Sequence, residues 1–84
     1  MNEEANELRR VRWRCRRGLL ELDLILQAFA DYTYPALGAH ERKAFRRLLA
    51  TPDATLLEYL NGAGQPQETE LTQIVNKLRQ STDF

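Results

Sequence analysis

The chain is short of the residues from which most active sites are built. It has one histidine, His40, and one cysteine, Cys15, in 84 residues, and no spacing gathers either into a metal-ligand cluster or a catalytic set. His40 reads as an exposed first-turn residue. Cys15, on an apolar stripe, reads as a buried thiol that behaves as a small hydrophobe. A lone cysteine excludes an internal disulfide and suits a reducing compartment. No glycine loop followed by a lysine is present to cradle phosphates. The chain is therefore expected not to be an enzyme, with no catalytic and no metal-binding residue.

Other absences narrow the class further. Four glycines and three prolines are too few breakers for a disordered chain. The longest apolar stretch, Leu19 to Ala30, is interrupted by Glu21, Asp23 and Gln27 and falls short of the roughly 20 residues that span a bilayer. Met1-Asn2-Glu3-Glu4 is acidic and polar, unlike a secretory leader or an Arg-rich transit peptide. A cytoplasmic location without membrane insertion is the expectation. Neither charge sign is in excess: 12 basic residues face 12 acidic ones.

What is present is helical periodicity. Apolar residues make up 43% of the chain and recur at i, i+3 and i+4 in every segment, with no persistent β alternation. The pattern predicts an all-α fold, a small five-helix bundle forming one domain over residues 1–84. The first helix spans about Glu3 to Cys15, with Leu8, Val11 and Cys15 facing inward. The second, about Leu19 to Tyr32, is apolar nearly all round apart from a wedge of Asp23, Gln27 and Asp31, and reads as the central, most buried helix. Tyr34-Pro35 makes a turn, because proline disfavours helical dihedrals in the residue before it. A third helix, about Ala39 to Ala50, buries Phe45, Leu48 and Leu49 under a solvated face of Arg42, Lys43, Arg46 and Arg47. Thr51-Pro52-Asp53 starts a fourth, with Thr51 as N-cap and Pro52 in the first turn. It buries Leu56, Leu57 and Leu60, and Gly62 stops it. A fifth, about Gln67 to Gln80, carries Leu71, Ile74, Val75 and Leu78. No apolar seam beyond this core demands a dimer, so a monomer is expected.

Two features are left without a place in the core. Arg9, Arg10, Arg12, Arg14, Arg16 and Arg17 form a basic run without an acid. If Leu8, Val11 and Cys15 face inward, Trp13 projects outward among those arginines. Either the helix turns so that Trp13 plugs the core edge, or Trp13 with Arg16 and its neighbours has the composition of an interface hot spot. Glu21 is the one acid of the second helix outside its polar wedge. Gly18-Leu19-Leu20-Glu21 has the spacing of a capping box, and Gly38-Ala39-His40-Glu41 repeats it, so spacing alone does not make Glu21 functional. Arg17, just before that cap, stands at a corner where it can reach a partner.

The run Trp13-Arg14-Cys15-Arg16-Arg17-Gly18-Leu19-Leu20-Glu21-Leu22-Asp23 resembles the signature of the SdhE flavinylation factors, the succinate dehydrogenase assembly proteins, whose hallmark is Arg-Gly-x-x-Glu. The likeness continues through Tyr34, Phe45-Arg46-Arg47-Leu48-Leu49, Pro52-Asp53, Leu57, Tyr59-Leu60 and Gly64-Gln65-Pro66. It departs at Gly38-Ala39-His40, where relatives commonly have Ser followed by acids.

The resemblance implies a five-helix protein that binds the flavoprotein subunit of succinate dehydrogenase, and of fumarate reductase in many cases, and promotes covalent attachment of FAD to a histidine of that subunit. It implies no stably bound cofactor of the chain's own. Carried onto this sequence, Arg17, Gly18 and Glu21 are the functional motif. Trp13, Arg16 and Asp23 complete the expected partner-binding set. The rival from another class is a small nucleic-acid-binding protein using the Arg9 to Arg17 helix. Zero net charge, the acids Glu21 and Asp23 directly after the run, and the lack of a readable recognition helix stand against it.

Overall fold

A computed structural model describes residues 3–82; Met1 and Asn2, half of the polar start read above, lie outside the described residues. Five α-helices follow in chain order: α1 Glu3–Arg14, α2 Leu20–Tyr32, α3 Ala39–Leu48, α4 Asp53–Asn61 and α5 Thr69–Thr82, with a 3-10 turn at Tyr34–Ala36. Among the described residues there is no strand. The all-α class and all five predicted helices are present, with ends shifted by up to two residues. The chain divides into two compact units, Met1–Leu37 and Gly38–Phe84.

In the first unit α1 packs on α2. Glu3 and Glu4 lie in the first turn of α1 and Arg12 and Arg14 in the last, so charge complements the helix dipole at both ends. Val11 and Cys15 are buried as expected. Polar contacts link α1 to the chain that follows it. Arg12 pairs with Asp31 at 2.9 Å, and the fully buried Tyr34 donates its hydroxyl to Glu7 at 2.8 Å. A buried phenol needs such a partner, and the turn after α2 supplies the geometry: Leu37 N–H bonds to the Tyr34 carbonyl at 3.0 Å.

Helix α2 carries four buried residues, more than any other described helix, but part of its apolar surface is uncovered. Leu22, Leu26, Phe29 and Ala30 are buried, but Leu20 is 74% exposed and Leu24 63%. The exposed Leu20 and Leu24 are not anticipated by the reading of α2 as the most buried helix. With α1 on one side, a single stripe is satisfied, and the second apolar stripe is left facing solvent.

In the second unit α5 packs against both α3 and α4. Ala44, Phe45, Leu48, Leu49, Leu56, Leu60, Ile74, Val75 and Leu78 are buried, while Leu57 and Leu71 are half-buried. Arg42 and Arg46 are also half-buried, so the basic face of α3 is less solvated than its pattern suggests. Gly62 ends α4 at φ +80, and the N–H groups of Ala63 and Gly62 bond to the carbonyls of Glu58 and Tyr59 at 2.9 and 3.2 Å. This is the Schellman arrangement that a left-handed glycine permits. Pro52 rather than Thr51 caps α4: its ψ of 151 keeps it extended, and its carbonyl accepts the Leu56 N–H at 3.0 Å.

At α3 the glutamate half of a capping box forms, Gly38 having no side chain to complete it. Gly38 is the N-cap, and Glu41 accepts a backbone hydrogen bond from it while receiving the Lys77 ammonium at 2.8 Å. The Lys77 hydrogen bond first, and then its charge and the Gly38 N–H, hold the Glu41 carboxyl below its ordinary value. A depressed folded value means that this stabilisation is present above the unfolded value and is lost as pH falls through the folded one. Melting curves recorded between about pH 5 and pH 2 should therefore show a shallower acid-side loss of midpoint in Glu41→Gln than in the wild type. Parallel acid limbs would rule out this source of acid sensitivity.

Candidate partner-binding corner

The residues singled out by the sequence lie at the end of α1, at the start of α2 and in the link between them. Helix α1 closes tightly. Cys15 N–H bonds to the Val11 and Arg12 carbonyls at 3.1 and 3.2 Å, and Arg16 N–H bonds to the Trp13 carbonyl at 3.1 Å. Cys15 is fully buried, and burial pushes its thiol up to about 12 despite the nearby arginines. A thiol held protonated in this way is inert as a nucleophile.

Trp13 faces outward. It is 70% exposed, with the Arg16 guanidinium carbon 5.3 Å from its ring centroid, within range of a cation–π contact. Arg9, Arg12, Trp13 and Arg16 line an open groove of about 160 Å³. Of the two placements the sequence left open for Trp13, the outward one is observed. Arg12 belongs to the groove, whereas Arg10 and Arg17 do not.

Arg17 is half-buried and fastened at both ends. Its Nη1 donates to the Arg14 carbonyl at 3.3 Å, satisfying one of the orphan carbonyls at the C-terminus of α1. Its backbone N–H donates to Asp23 Oδ1 at 2.5 Å. The structure thus joins Arg17 with Asp23, and Trp13 with Arg16.

Gly18 and Glu21 do not form the capping box their spacing suggests. Gly18 has φ +86, a turn conformation rather than the extended one of an N-cap. Leu19 is the cap, with φ −112 and ψ 116, which puts Glu21 one position too early to reach back. Glu21 is exposed and joins none of the ion pairs among the described residues.

Nothing lies within 4 Å of a Cβ built on Gly18. The corner thus demands glycine for its dihedral, not for space within this chain. Gly18→Ala should lower stability by about 1 kcal/mol, seen as a melting midpoint lower by about 4–8 °C. Gly18→Asn should lose less, since asparagine tolerates the left-handed region. An alanine variant that melts with the wild type would show that the dihedral is not the constraint.

One component of this surface is not evident from the sequence pattern. The exposed large apolar residues among those described are Trp13, Leu19, Leu20, Leu24 and Tyr32, all in the first unit. Leu20 and Leu24 stand one turn apart on the helix that also carries Glu21. The signal was available in principle: α2 has more apolar surface than one neighbouring helix can cover.

A family model described as the flavinator of succinate dehydrogenase matches residues 9–82. The chain belongs to that family. Curated relatives cover nearly all of it. It is 44% identical over 78 residues to the FAD assembly factor SdhE of Yersinia pseudotuberculosis, spanning 93% of this chain and 88% of that one. It is 38% identical over 80 residues to the FAD assembly factor SdhE of Coxiella burnetii, spanning 95% and 96%. With the FAD assembly factor SdhE of Pseudomonas aeruginosa it shares 35% identity over 75 residues, covering 89% of each. The corner from Trp13 to Asp23 falls wholly inside the region that the family model matches.

Proposed function

We propose that this chain is an FAD assembly factor: it binds the flavoprotein subunit of succinate dehydrogenase through its first unit and promotes covalent attachment of FAD to that subunit. The observation that carries this reading is the family match over residues 9–82, with Arg17, Gly18 and Glu21 set at a corner whose flanks are exposed. The chain acts in the cytoplasm; among the described residues no helix is long and apolar enough to cross a membrane. The flavoprotein of fumarate reductase is a second client of the same surface.

The chain contributes no atom to the new bond. Its thiol is buried and protonated, and its one imidazole lies 3.6 Å from Glu70, on the other unit. Its part is alignment of the flavoprotein's own nucleophile and cations, where misplacement by a fraction of an ångström is costly. The exposed Glu21 carboxylate pairs with a basic group of the flavoprotein. Arg17 reaches a carboxylate or carbonyl beside the FAD domain. Gly18, without a side chain, keeps the corner low for close approach. Trp13 and Arg16 supply the buried-area anchor that aromatic and guanidinium groups provide at interfaces, and the exposed Leu20 and Leu24 extend it. The arginine run serves protein rather than phosphate recognition, since Arg12 is tied to Asp31 and Arg17 to the Arg14 carbonyl.

The deciding experiment is covalent flavin in the succinate dehydrogenase flavoprotein, read as in-gel fluorescence after denaturing electrophoresis, from cells with and without this chain. Loss of signal, restored by the wild type and not by Glu21→Ala, is the expected result. An undiminished signal without the chain would overturn the reading.

A further inference from the structure

The Asp23 carboxylate does something that motif spacing does not account for. Rather than facing outward, it reaches back around Gly18, where its Oδ1 accepts the backbone N–H of Arg17 at 2.5 Å. Asp23 is half-buried, whereas Glu21, two residues earlier, is exposed.

Local structure explains why an acceptor is needed there. The last turn of α1 is closed by the N–H groups of Cys15 and Arg16, and the Arg17 N–H falls beyond it. Leu19 caps α2 without a side-chain hydrogen bond, and its carbonyl is taken by the Asp23 N–H at 2.9 Å. Between them Gly18 turns the chain through the left-handed region. The acceptor for the Arg17 N–H comes from the first turn of α2, where a carboxylate is also favoured by the positive end of the helix dipole.

We propose that Asp23 is a positioning residue: by holding the Arg17 N–H it fixes the Arg17–Gly18 corner and so the directions in which Arg17 and Glu21 meet the flavoprotein, without touching the flavoprotein itself. This rests on the FAD-assembly reading above. What the role requires is an oxygen acceptor at this place, not a negative charge facing a partner. Asparagine keeps such an oxygen and alanine does not, so the two substitutions separate positioning from direct charge recognition.

The test compares wild type, Asp23→Ala, Asp23→Asn and Arg17→Ala. Amide hydrogen exchange at Arg17 is followed by NMR, alongside the rate of covalent flavin formation on the flavoprotein. Asp23→Ala should speed exchange at Arg17 about tenfold or more and slow flavinylation by a similar factor, the loss expected for one hydrogen bond to a charged group. Asp23→Asn should stay within about threefold of wild type in both. Amides from Leu26 to Ala30 report whether α2 persists; if alanine melts it, the asparagine variant alone decides.

Three results would overturn the proposal. Flavinylation lost in Asp23→Asn while Arg17 stays protected would make Asp23 a direct charge contact. Protection lost in Asp23→Ala with flavinylation unchanged, while Arg17→Ala abolishes it, would show that the corner needs no such brace and would leave the FAD-assembly reading intact. Wild-type flavinylation in both Asp23→Ala and Arg17→Ala would remove the role of the corner itself.

Discussion

Covalent flavin in the client flavoprotein should fall more than about tenfold in Glu21→Ala and in Arg17→Ala, the scale of a hot-spot truncation at an interface. The two variants differ in what else they disturb. Glu21 is exposed and lies outside any capping box. Its removal forfeits at most a few tenths of a kcal/mol to about 1 kcal/mol of favourable charge at the N-terminus of α2. The melting midpoint of Glu21→Ala should therefore stay within a few degrees of wild type while activity collapses. Arg17→Ala also removes a hydrogen bond to the Arg14 carbonyl, so a small loss of stability accompanies its loss of activity. Arg17→Lys separates these effects, because lysine keeps the charge but not the planar fork of donors. A Glu21→Ala protein that unfolds, or one that flavinylates at the wild-type rate, would contradict this assignment.

Substitutions along α2 should split sharply by face. Leu22 and Leu26 are fully buried and Leu24 is 63% exposed, though all three are leucines within five residues of one helix. Leu22→Ala and Leu26→Ala each remove buried methyl groups and leave a cavity, and should cost about 2–5 kcal/mol. In a chain of this size that is a large fraction of the total stability. Leu20→Ala and Leu24→Ala should change stability by less than about 0.5 kcal/mol and weaken association with the flavoprotein instead. Urea titrations of the four variants check the first half of this statement, and affinity measurements the second. The same titrations bear on the single domain expected from the sequence, which requires methyl signals from Val11 and Leu60 to report coincident transitions. Four variants of equal stability would mean that α2 is not held as described.

Much of this was legible in the sequence because it is local. Helix number and type follow from a 3.6-residue period, and the Gly62 stop and the Gly38–Glu41 cap follow from short-range chemistry. The outward placement of Trp13 was one of two that the sequence left open. What was not legible depended on contacts or on partners. The two Gly-x-x-Glu segments have the same spacing, yet only Gly38 adopts cap dihedrals. Gly18 is left-handed instead, with Asp23 bonded to the residue before it, and that contact spans a corner no periodicity encodes. Tyr34 could be read as a turn residue but not as a core residue, since its partner Glu7 lies far away in the chain. The exposure of Leu20 and Leu24 on α2 was not legible, because an apolar stripe looks the same in sequence whether its own fold or another protein covers it.

Trp13 is the chain's single tryptophan, and it stands in the open on the proposed docking side. Its ultraviolet emission in the free protein should be that of a hydrated indole, partly quenched by the neighbouring guanidinium. Docking should shift that emission to the blue as water leaves the ring. Because the isoalloxazine chromophore absorbs where indole emits, a client carrying FAD should dim Trp13 further by energy transfer than an empty client does. The assembly step then has a built-in optical ruler, able to report in real time whether the factor engages its client before or after the flavin has arrived.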